Sequence, residues 1–316
     1  MRSRCRFTLD RRGAVIAVLL ACAACSGDET KDAPVLPSVT TGGAQTSSEI
    51  AEAVTGSIHP NGMETEYWFE WGMDEALTSF MAMPVNVLPP SSTEQGVSGT
   101  LAGLPRGTKI YYRLCARNDD GEVEGEVKAC YHYANVVFVT SAKGTGNLGS
   151  WPEAGGMSGL LAGAAICETV AHAAGLTGAF RPWLSDSTVA ARDRLVHSAE
   201  AYLRVDGVRV ASSWSSMTNA ACVAGTGWCF ENPIELDERG GSAGFVLVHT
   251  DTLENGAKGS GTNACANWTS GSSADTEYVG SATSPNWAWT ADATAGCSTS
   301  RPLYCFQQNP DLPQEP

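Results

Sequence analysis

Cysteine is the residue type in this sequence whose number and spacing indicate the clearest chemistry. The chain has eleven cysteines, and three of them, Cys5, Cys22 and Cys25, lie near the N-terminus. The others form an even set of eight: Cys115, Cys130, Cys167, Cys222, Cys229, Cys265, Cys297 and Cys305. None of these eight has the C-x-x-C spacing of a zinc site, and the histidines are scattered, so we predict no metal centre. An even set of cysteines predicts disulfide bonds in an oxidising compartment.

Two glycine-rich strings match motifs of enzymes, but their surroundings argue against that function. Gly144–Gly149 fits the dinucleotide-binding pattern, yet Ser150-Trp151-Pro152 follows where the motif should continue into a helix. Gly240–Gly244 fits the nucleophile elbow, which needs a strand before it and a helix after it. Here an acidic turn precedes the string and the strand-like Phe245–Val248 follows it. We therefore expect no cofactor and no catalytic serine.

Carboxylates near predicted loops could cleave a glycosidic bond if two of them faced a sugar. The candidates are Asp186, Asp193, Asp237 and Glu238. In an acidic protein most such side chains are solvated or cap helices, so we predict no catalytic role and no enzyme. A structural calcium ion at Asp237, Glu238 or Asp251 remains open, because calcium prefers oxygen ligands.

Tryptophan offers a third kind of chemistry, because an indole ring can stack on a sugar or anchor a protein partner. Seven of the nine tryptophans follow residue 150. We expect Trp183 and Trp268 to lie in the core. Trp228 lies between two cysteines, and Trp287 and Trp289 lie in a polar loop, so these three are our ligand-binding candidates.

The N-terminus has the features of an export signal, with five arginines before the apolar run Ala14–Ala21. That run is too short to span a bilayer permanently. The sequence Leu19-Leu20-Ala21-Cys22 resembles the lipobox of bacterial lipoproteins, which implies that Cys22 carries the lipid. Cys25 is the alternative lipid site, because Ala23 and Ala24 are also small. We expect a cell-envelope protein, anchored through its lipid to the outer membrane, with an extracytoplasmic folded part.

The net charge limits the partners. The whole chain has a formal charge of −14, and removing the signal, which holds five arginines and one aspartate, makes it about −18. A polyanion repels nucleic acid and anionic lipid. We therefore exclude nucleic-acid binding and expect the lipid to be the only link to a membrane.

Composition and turn signals divide the mature chain. Residues 26–37 are polar and acidic and predict a solvated tether. Residues 38–140 contain short alternating strands typical of an all-β immunoglobulin-like sandwich. We place a boundary near residues 141–149, an α+β domain at 144–310 and a disordered tail at 311–316.

The first domain has strand patterns on which a resemblance rests. Tyr67, Phe69 and Trp71 share one face of a strand, Ile110, Tyr112 and Leu114 share another, and residues 118–121 form a hairpin turn before a closing strand at 136–139. Together with Gly56–Gly62, Tyr67–Gly72 and Gly103-Leu104-Pro105, these residues resemble bacterial fibronectin type III domains. The resemblance implies a spacer, with Ile110 where such domains have a tyrosine whose hydroxyl bonds the backbone. We expect Cys115 and Cys130 to form a disulfide here.

The second domain mixes helices and strands. Gly159–Ala174 has one apolar helical face, and Gly175 is a stop signal. We predict a helix from Asp186 or Ser187 to Leu195, a hairpin at Asp206-Gly207 and a buried strand at 245–248.

Motifs in the order in which they occur here resemble those of bacterial endostatin-like domains with a C-type-lectin-like fold. They are Gly146–Gly149, Ala165–Cys167, Phe180–Asp186, Asp193–Leu195, Val205–Gly207, Pro233–Glu238, Asn267–Thr269 and Leu303–Phe306. The resemblance implies that Cys167 pairs with Cys305 and Cys265 with Cys297, which leaves Cys222 for Cys229.

These expectations together predict a non-enzymatic adhesion or binding lipoprotein that presents a lectin-like head to a glycan or an extracellular protein. The alternatives are an extracytoplasmic enzyme acting on polysaccharide and a structural envelope protein.

Overall fold

The structure is a computed structural model, and it describes residues 33–48, 51–105, 107–223, 225, 227–309 and 312–315. Val35–Pro316 forms one compact unit. The predicted export signal and both candidate lipid sites, Cys22 and Cys25, lie outside the described residues. Within the part of the chain that is described, no helix is both long and apolar enough to cross a membrane.

Short antiparallel strands build the first part of this unit, which we call the sandwich (residues 38–132). They are β1 (Ser38–Ser48), β2 (Ala51–His59), β3 (Thr65–Gly72), β4 (Phe80–Ala82), β5 (Asn86–Leu88), β6 (Gln95–Ala102), β7 (Thr108–Asn118), β8 (Gly121–Glu124) and β9 (Lys128–His132). One sheet has the order β1-β2-β6, and the other has the order β4-β3-β7-β8, with β5 also paired to β3 and β9 to β7. Apolar side chains such as Val54, Phe69 and Leu101 fill the core of the sandwich.

Alternation along β7 follows the sequence prediction. Ile110, Tyr112 and Leu114 are each no more than 1% exposed, and the hairpin turn to β8 falls at Asp119-Asp120. The Tyr112 hydroxyl donates a 2.9 Å hydrogen bond to the carbonyl of Gly42 in β1. A tyrosine two residues after Ile110 thus ties its hydroxyl to the backbone.

The remaining elements build the second part of the unit, which we call the head (residues 135–315). Its strands are β10 (Asn135–Val139), β11 (Ala179–Pro182), β12 (Tyr202–Arg204), β13 (Arg209–Ala211), β14 (Leu247–His249), β15 (Thr276–Ser281), β16 (Ala293–Gly296) and β17 (Tyr304–Gln308). Its helical segments are α1 (Gly159–Ala173), α2 (Trp214–Met217), α3 (Ala220–Val223), α4 (Ala264–Trp268) and α5 (Ala288–Ala291). The sheets have the orders β11-β17-β10-β12-β13 and β14-β15-β16. The described chain is therefore β-rich with few helices.

Strand β10 corrects our prediction that residues 136–139 close the sandwich. β10 lies in the middle of the head's larger sheet, antiparallel to β17 and parallel to β12. All five of its residues are buried, because Val136 and Phe138 enter one apolar core while Val137 and Val139 enter another. A strand covered on both faces is apolar at both parities. The head consequently begins before residues 141–149, where we had placed the boundary.

Helix α1 covers one face of this sheet. It ends within one residue of the predicted position, before Gly175 at φ +81°, where a left-handed conformation suits glycine. Ala162, Ile166 and Cys167 on its buried face are 0% exposed. The opposite face of the sheet is covered by an aromatic core that includes Trp183 and Trp289.

Two local predictions in the head were wrong. The segment after Asp186 is not a helix to Leu195, because the Asp186 carboxylate accepts hydrogen bonds from the backbone of Thr188 and Val189 and closes a turn. Only Ala191–Asp193 has helical turns, of the 3-10 type. The predicted strand at 245–248 begins two residues later, and Phe245 is 97% exposed.

Both ends of the compact unit are bound to its surface, which corrects the predicted limits of tether and tail. The carbonyls of Val35 and Leu36 accept hydrogen bonds from Asn118 and Asn61. At the other end Leu312 is 3% exposed, and the Glu315 carboxylate accepts a 2.7 Å bond from the backbone N–H of Ser215.

The sandwich and the head meet at the turn between β12 and β13. The carbonyl of Val205 accepts a 2.7 Å hydrogen bond from Lys109 Nζ and another of 2.7 Å from the Tyr131 hydroxyl. Ala134, Ala201 and Leu203 form a small apolar cluster beside it, against which Tyr131 packs. The junction therefore combines apolar packing with charged and neutral hydrogen bonds.

Candidate ligand-binding site

Exposed tryptophans mark one surface of the head. Of the three candidates, Trp228 is 67% exposed, Trp287 is 38% exposed and Trp289 is 0% exposed. Trp289 was wrongly predicted as a surface residue. Because α5 starts at Ala288, residues 287 and 289 point in different directions around a helical turn. The Trp289 ring instead packs on Phe230 and Trp183, with centroids at 4.5 and 4.7 Å.

A short disulfide loop holds Trp228. The bond between Cys222 and Cys229 closes a separation of seven residues, and both cysteines are buried. Inside the loop, Gly227 N donates to Ala221 O at 3.1 Å and Gly225 N donates to Cys222 O at 2.9 Å. The disulfide and these two hydrogen bonds thus tie the described residues beside Trp228 to one another.

Trp287 joins the same surface through the segment that precedes it. The backbone N–H groups of Cys229 and Phe230 both donate to the carbonyl of Pro285 at 2.9 Å, and Trp228 forms a β-bridge with Asn286. Gly225 lies against the Trp287 ring, since a Cβ atom placed on that glycine would be 3.7 Å from Trp287 Cδ1. We call Trp228, Trp287, Gly225 and the disulfide between Cys222 and Cys229 the indole surface.

An open groove of about 440 Å³ adjoins the indole surface. It is lined by Ala211, Ser216, Trp228, Cys229, Phe230 and Glu231. The Glu231 carboxylate receives a 2.9 Å hydrogen bond from Arg209 Nε, and both side chains of this pair are about half exposed. The groove therefore offers an aromatic plane, an apolar floor and one charged rim, which suit stacking with a few orienting hydrogen bonds.

The carboxylates considered for catalysis lie elsewhere. Within the described residues, Glu231 is the one acid that lines this groove. Asp237 accepts bonds from the backbone of Arg239 and Gly241 in its own turn. Glu238 is buried and accepts hydrogen bonds from the backbone N–H and the hydroxyl of Ser141. Asp237 thus closes its own turn, and Glu238 joins that turn to the segment after β10.

Asp186 and Asp251 differ in electrostatics. For Asp186, burial alone would raise the pKa, but hydrogen bonds from Thr188 and Val189 outweigh it and lower the pKa. For Asp251, burial dominates and raises the pKa, although Thr262 and the Tyr278 N–H donate to Oδ1 at 2.6 and 3.0 Å. Asp193 pairs at 3.8 Å with its exposed neighbour Arg192. Each of these contacts stabilises the loop that contains the carboxylate.

A buried polar network in the head was missed by sequence reasoning. His249 Nε2 donates to the carbonyl of Gly144 at 2.9 Å, and Nδ1 lies 2.7 Å from the Glu277 carboxylate. Arg301 lies 3.1 Å from the same carboxylate. His249 and Glu277 are 0% exposed, so the network fastens β14, β15 and the segment before β17 together. No local pattern could indicate it, because its members are far apart in sequence.

The disulfides of the head are the three that the resemblance implied. Cys167 bonds Cys305, Cys222 bonds Cys229, and Cys265 bonds Cys297. The Glu277 carboxylate approaches Cys265 and Cys297, but these sulfurs are bonded to each other and supply no thiolate for a metal.

Cys115 and Cys130 correct our expectation of a disulfide in the sandwich, because both are free thiols. Cys115 of β7 pairs with Glu124 of β8, whereas Cys130 of β9 pairs with Ile110 of β7. Ile110 lies five residues before Cys115 along β7. Five residues of strand span roughly 16 Å, far more than a disulfide can bridge. Burial raises the pKa of Cys115 to about 12 and raises that of Cys130 as well, so neither is an activated nucleophile.

Comparison with known proteins adds little to this geometry. No protein family model matches the chain, and no curated protein matches it. Two solved structures of the sensor domain of the anti-sigma factor RsgI4 from Pseudobacteroides cellulosolvens are similar to part of it. One is 7% identical, covers 30% of this chain and 87% of its own, and has a TM-score of 0.24. The other is 8% identical, covers 32% and 95%, and has a TM-score of 0.25. Scores this low carry no argument about function.

Proposed function

We propose that the chain is an extracytoplasmic, lipid-anchored and non-enzymatic binding protein whose head presents the indole surface to a glycan or to an extracellular protein. The observation that carries the proposal is Trp228, 67% exposed on a loop closed by a disulfide. Water solvates an exposed indole poorly, and a disulfide limits the conformations that the chain on either side of Trp228 must give up when a ligand covers the ring.

The sulfur chemistry supports a location outside the cytoplasm. Three disulfides, two of which close separations of 138 and 32 residues, are the sign of a chain that folds under oxidising conditions. With the export pattern at the N-terminus, they support an envelope lipoprotein acylated at Cys22 or Cys25.

The sandwich and the head are proposed to have different roles. The sandwich is proposed to be a fibronectin type III-like spacer, because its two sheets enclose one apolar core. The head is proposed to have a C-type-lectin-like fold, on the basis of helix α1, the sheet it covers and the bond from Cys167 to Cys305. The spacer would hold the indole surface away from the membrane.

Binding arrays test the proposal directly. Residues 33–316 should be used, because they contain the whole compact unit, whereas a fragment that starts at residue 144 would lack β10 from the middle of a sheet. We expect the fragment to bind a subset of spots on a glycan array or an array of matrix proteins. The double variant Trp228→Ala and Trp287→Ala should lose that binding by about tenfold or more, in line with the loss of an aromatic anchor.

Phe245→Ala provides the matched control, because Phe245 is an aromatic residue that is 97% exposed outside the indole surface. It should bind as the unaltered fragment does. Near-ultraviolet circular dichroism should show that the tryptophan variant keeps its buried aromatic core. If the fragment binds nothing on either array, or if the double variant binds equally well, the proposed function is wrong.

A further inference from the structure

Strand β6 is a sheet edge without the usual protection. It is eight residues long and ends the sheet β1-β2-β6, so within the described residues only β2 pairs with it. Its sequence, QGVSGTLA, contains neither charge nor proline. Val97 and Leu101 enter the core, while Ser98 and Thr100 are exposed. Such an edge leaves a row of backbone donors and acceptors ready to pair with another strand.

Other edges of the described sheets carry devices that prevent pairing. Edge strand β8 holds Glu122 and Glu124, β11 contains Arg181 and Pro182, and β13 begins with Arg209. The edge strands β4, β5, β14 and β16 have only three or four residues. At the far side of the β6 sheet, β1 is held to β7 because Leu114 N donates to Thr41 Oγ1 at 3.1 Å. β1 and β6 are both long and uncharged, but among the described residues only β1 is bonded to a second sheet on its outer side, and β6 is not.

Charge indicates what could pair with it. The chain has a net charge of −14, so most surfaces of one copy repel those of another. β6 is an exception, because an antiparallel pair of β6 strands around Ser98 and Gly99 brings no charged residue opposite another. Like charges that face each other directly destabilise a strand pair.

Apolar side chains beside β6 would enlarge the contact. Met83 of the neighbouring sheet edge lies against Gly99, since a Cβ atom on that glycine would be 2.8 Å from Met83 Cε. On either side of Met83, Met81 is 61% exposed and Val85 is 50% exposed. Residues 76–93 contain no charge. Stable complexes bury about 1,200 Å² or more, and a contact confined to one strand pair and these few side chains is small, so we expect a weak dimer.

From this edge we infer that two copies of the chain associate through antiparallel pairing of their β6 strands, which joins two three-stranded sheets into one of six strands. The interface lies on the sandwich and leaves the indole surface free. A dimer would present two indole surfaces at once and so increase the avidity for a repetitive ligand.

Sedimentation of residues 33–316 over a range of concentrations tests the inference. We expect the measured mass to rise with concentration and to approach about twice that of one chain by roughly 100 μM. Amides of Gln95–Ala102 should exchange hydrogen more slowly as the concentration rises. The variant Ser98→Lys with Thr100→Lys should remain monomeric, because lysine on an edge strand blocks pairing.

The control variant, Met157→Lys with Leu161→Lys, adds the same charge at residues that are 51% and 70% exposed on the head. It should dimerise as the unaltered fragment does. A fragment that remains monomeric at every concentration would overturn the inference. So would a dimer in which the exchange of β6 does not depend on concentration, or which the β6 lysines leave intact.

Discussion

The sandwich and the head stabilise their cores by different means. The sandwich uses strands of up to eleven residues and one apolar core, and its described cysteines are thiols. The head uses strands of three to six residues, long irregular connections and three disulfides. Regular backbone pairing can fix a region without covalent links, whereas loops that pair little with their neighbours need sulfur bridges and buried polar contacts to remain in place.

This difference also distinguishes the sandwich, which we propose as the support, from the head, which carries the candidate site. The exposed tryptophans of the candidate site lie on the head's disulfide loop and on the segment bonded to it. Irregular loops on a rigid support commonly carry binding residues, because their side chains can point where sheet geometry would not allow. We therefore expect substitutions on the indole surface to affect binding, and substitutions in the core of the sandwich to affect stability.

The largest expected effect comes from removing the bond between Cys167 and Cys305, which ties α1 to β17. Changing both cysteines to alanine should lower the free energy of unfolding by about 4 to 5 kcal/mol, because the bridge closes a long loop in the unfolded chain. Urea denaturation followed by tryptophan fluorescence measures this loss. Hydrogen exchange should show the loss of protection in the head while β2, β3 and β7 remain protected.

The pair Cys115→Ala and Cys130→Ala provides the comparison in the sandwich. Because these cysteines are thiols, the double variant should lose only about 1 kcal/mol. Alkylation of the denatured, unreduced fragment should modify two cysteines. A loss as large as that of the head pair, or no alkylation at all, would mean that the sandwich is also covalently closed.

A smaller effect is expected from Tyr112→Phe in the sandwich. The change removes the hydroxyl that bonds the Gly42 carbonyl at 2.9 Å, so the free energy of unfolding should fall by about 1 to 2 kcal/mol. Tyr111→Phe, on the other face of β7, is the matched control and should cost less. Urea denaturation would contradict the assignment if both variants lost the same amount.

Prediction from sequence succeeded where local periodicity determines structure. The alternation of Ile110, Tyr112 and Leu114 places them in the core, because one face of a sandwich strand must be buried. Helix α1 and its glycine stop were also predictable, since both depend on residues within a few positions of each other in the sequence. The head disulfides came from a resemblance and not from spacing, because cysteine positions alone allow many pairings.

Prediction failed where a segment was assigned to the wrong surroundings or where separate elements meet. β10 follows the sandwich in sequence but is apolar at both parities, a pattern that indicates a strand covered on both faces. Trp289 was placed on the surface because its loop is polar, although a single helical turn directs it into the core. Of the candidate site, Trp228 and Trp287 were predictable, but the groove was not, since β13 and α2 supply part of its wall.

The smallest effect contrasts two carboxylates within the head. Burial raises the pKa of Asp251 above its ordinary value of 3.8, so the folded state holds this proton more tightly than the unfolded state does. The folded state therefore loses stability as the pH rises through the interval between the two pKa values. Asp251→Asn keeps the oxygen that accepts from Thr262 and Tyr278 and cannot ionise. It should stabilise the fragment by about 1 kcal/mol or less at neutral pH, and the gain should vanish below pH 3.8.

Asp186→Asn should have the opposite sign, because hydrogen bonds from Thr188 and Val189 hold the pKa of Asp186 below 3.8. Its folded state favours the charged form, so the variant should lose stability at neutral pH, and the loss should shrink only as the pH falls from 3.8 towards the lowered pKa of folded Asp186. Urea denaturation at several pH values distinguishes the two residues. If both variants shift stability in the same direction, burial is not what separates Asp251 from Asp186, and the loops of the head do not divide into buried and hydrogen-bonded carboxylates as the geometry indicates.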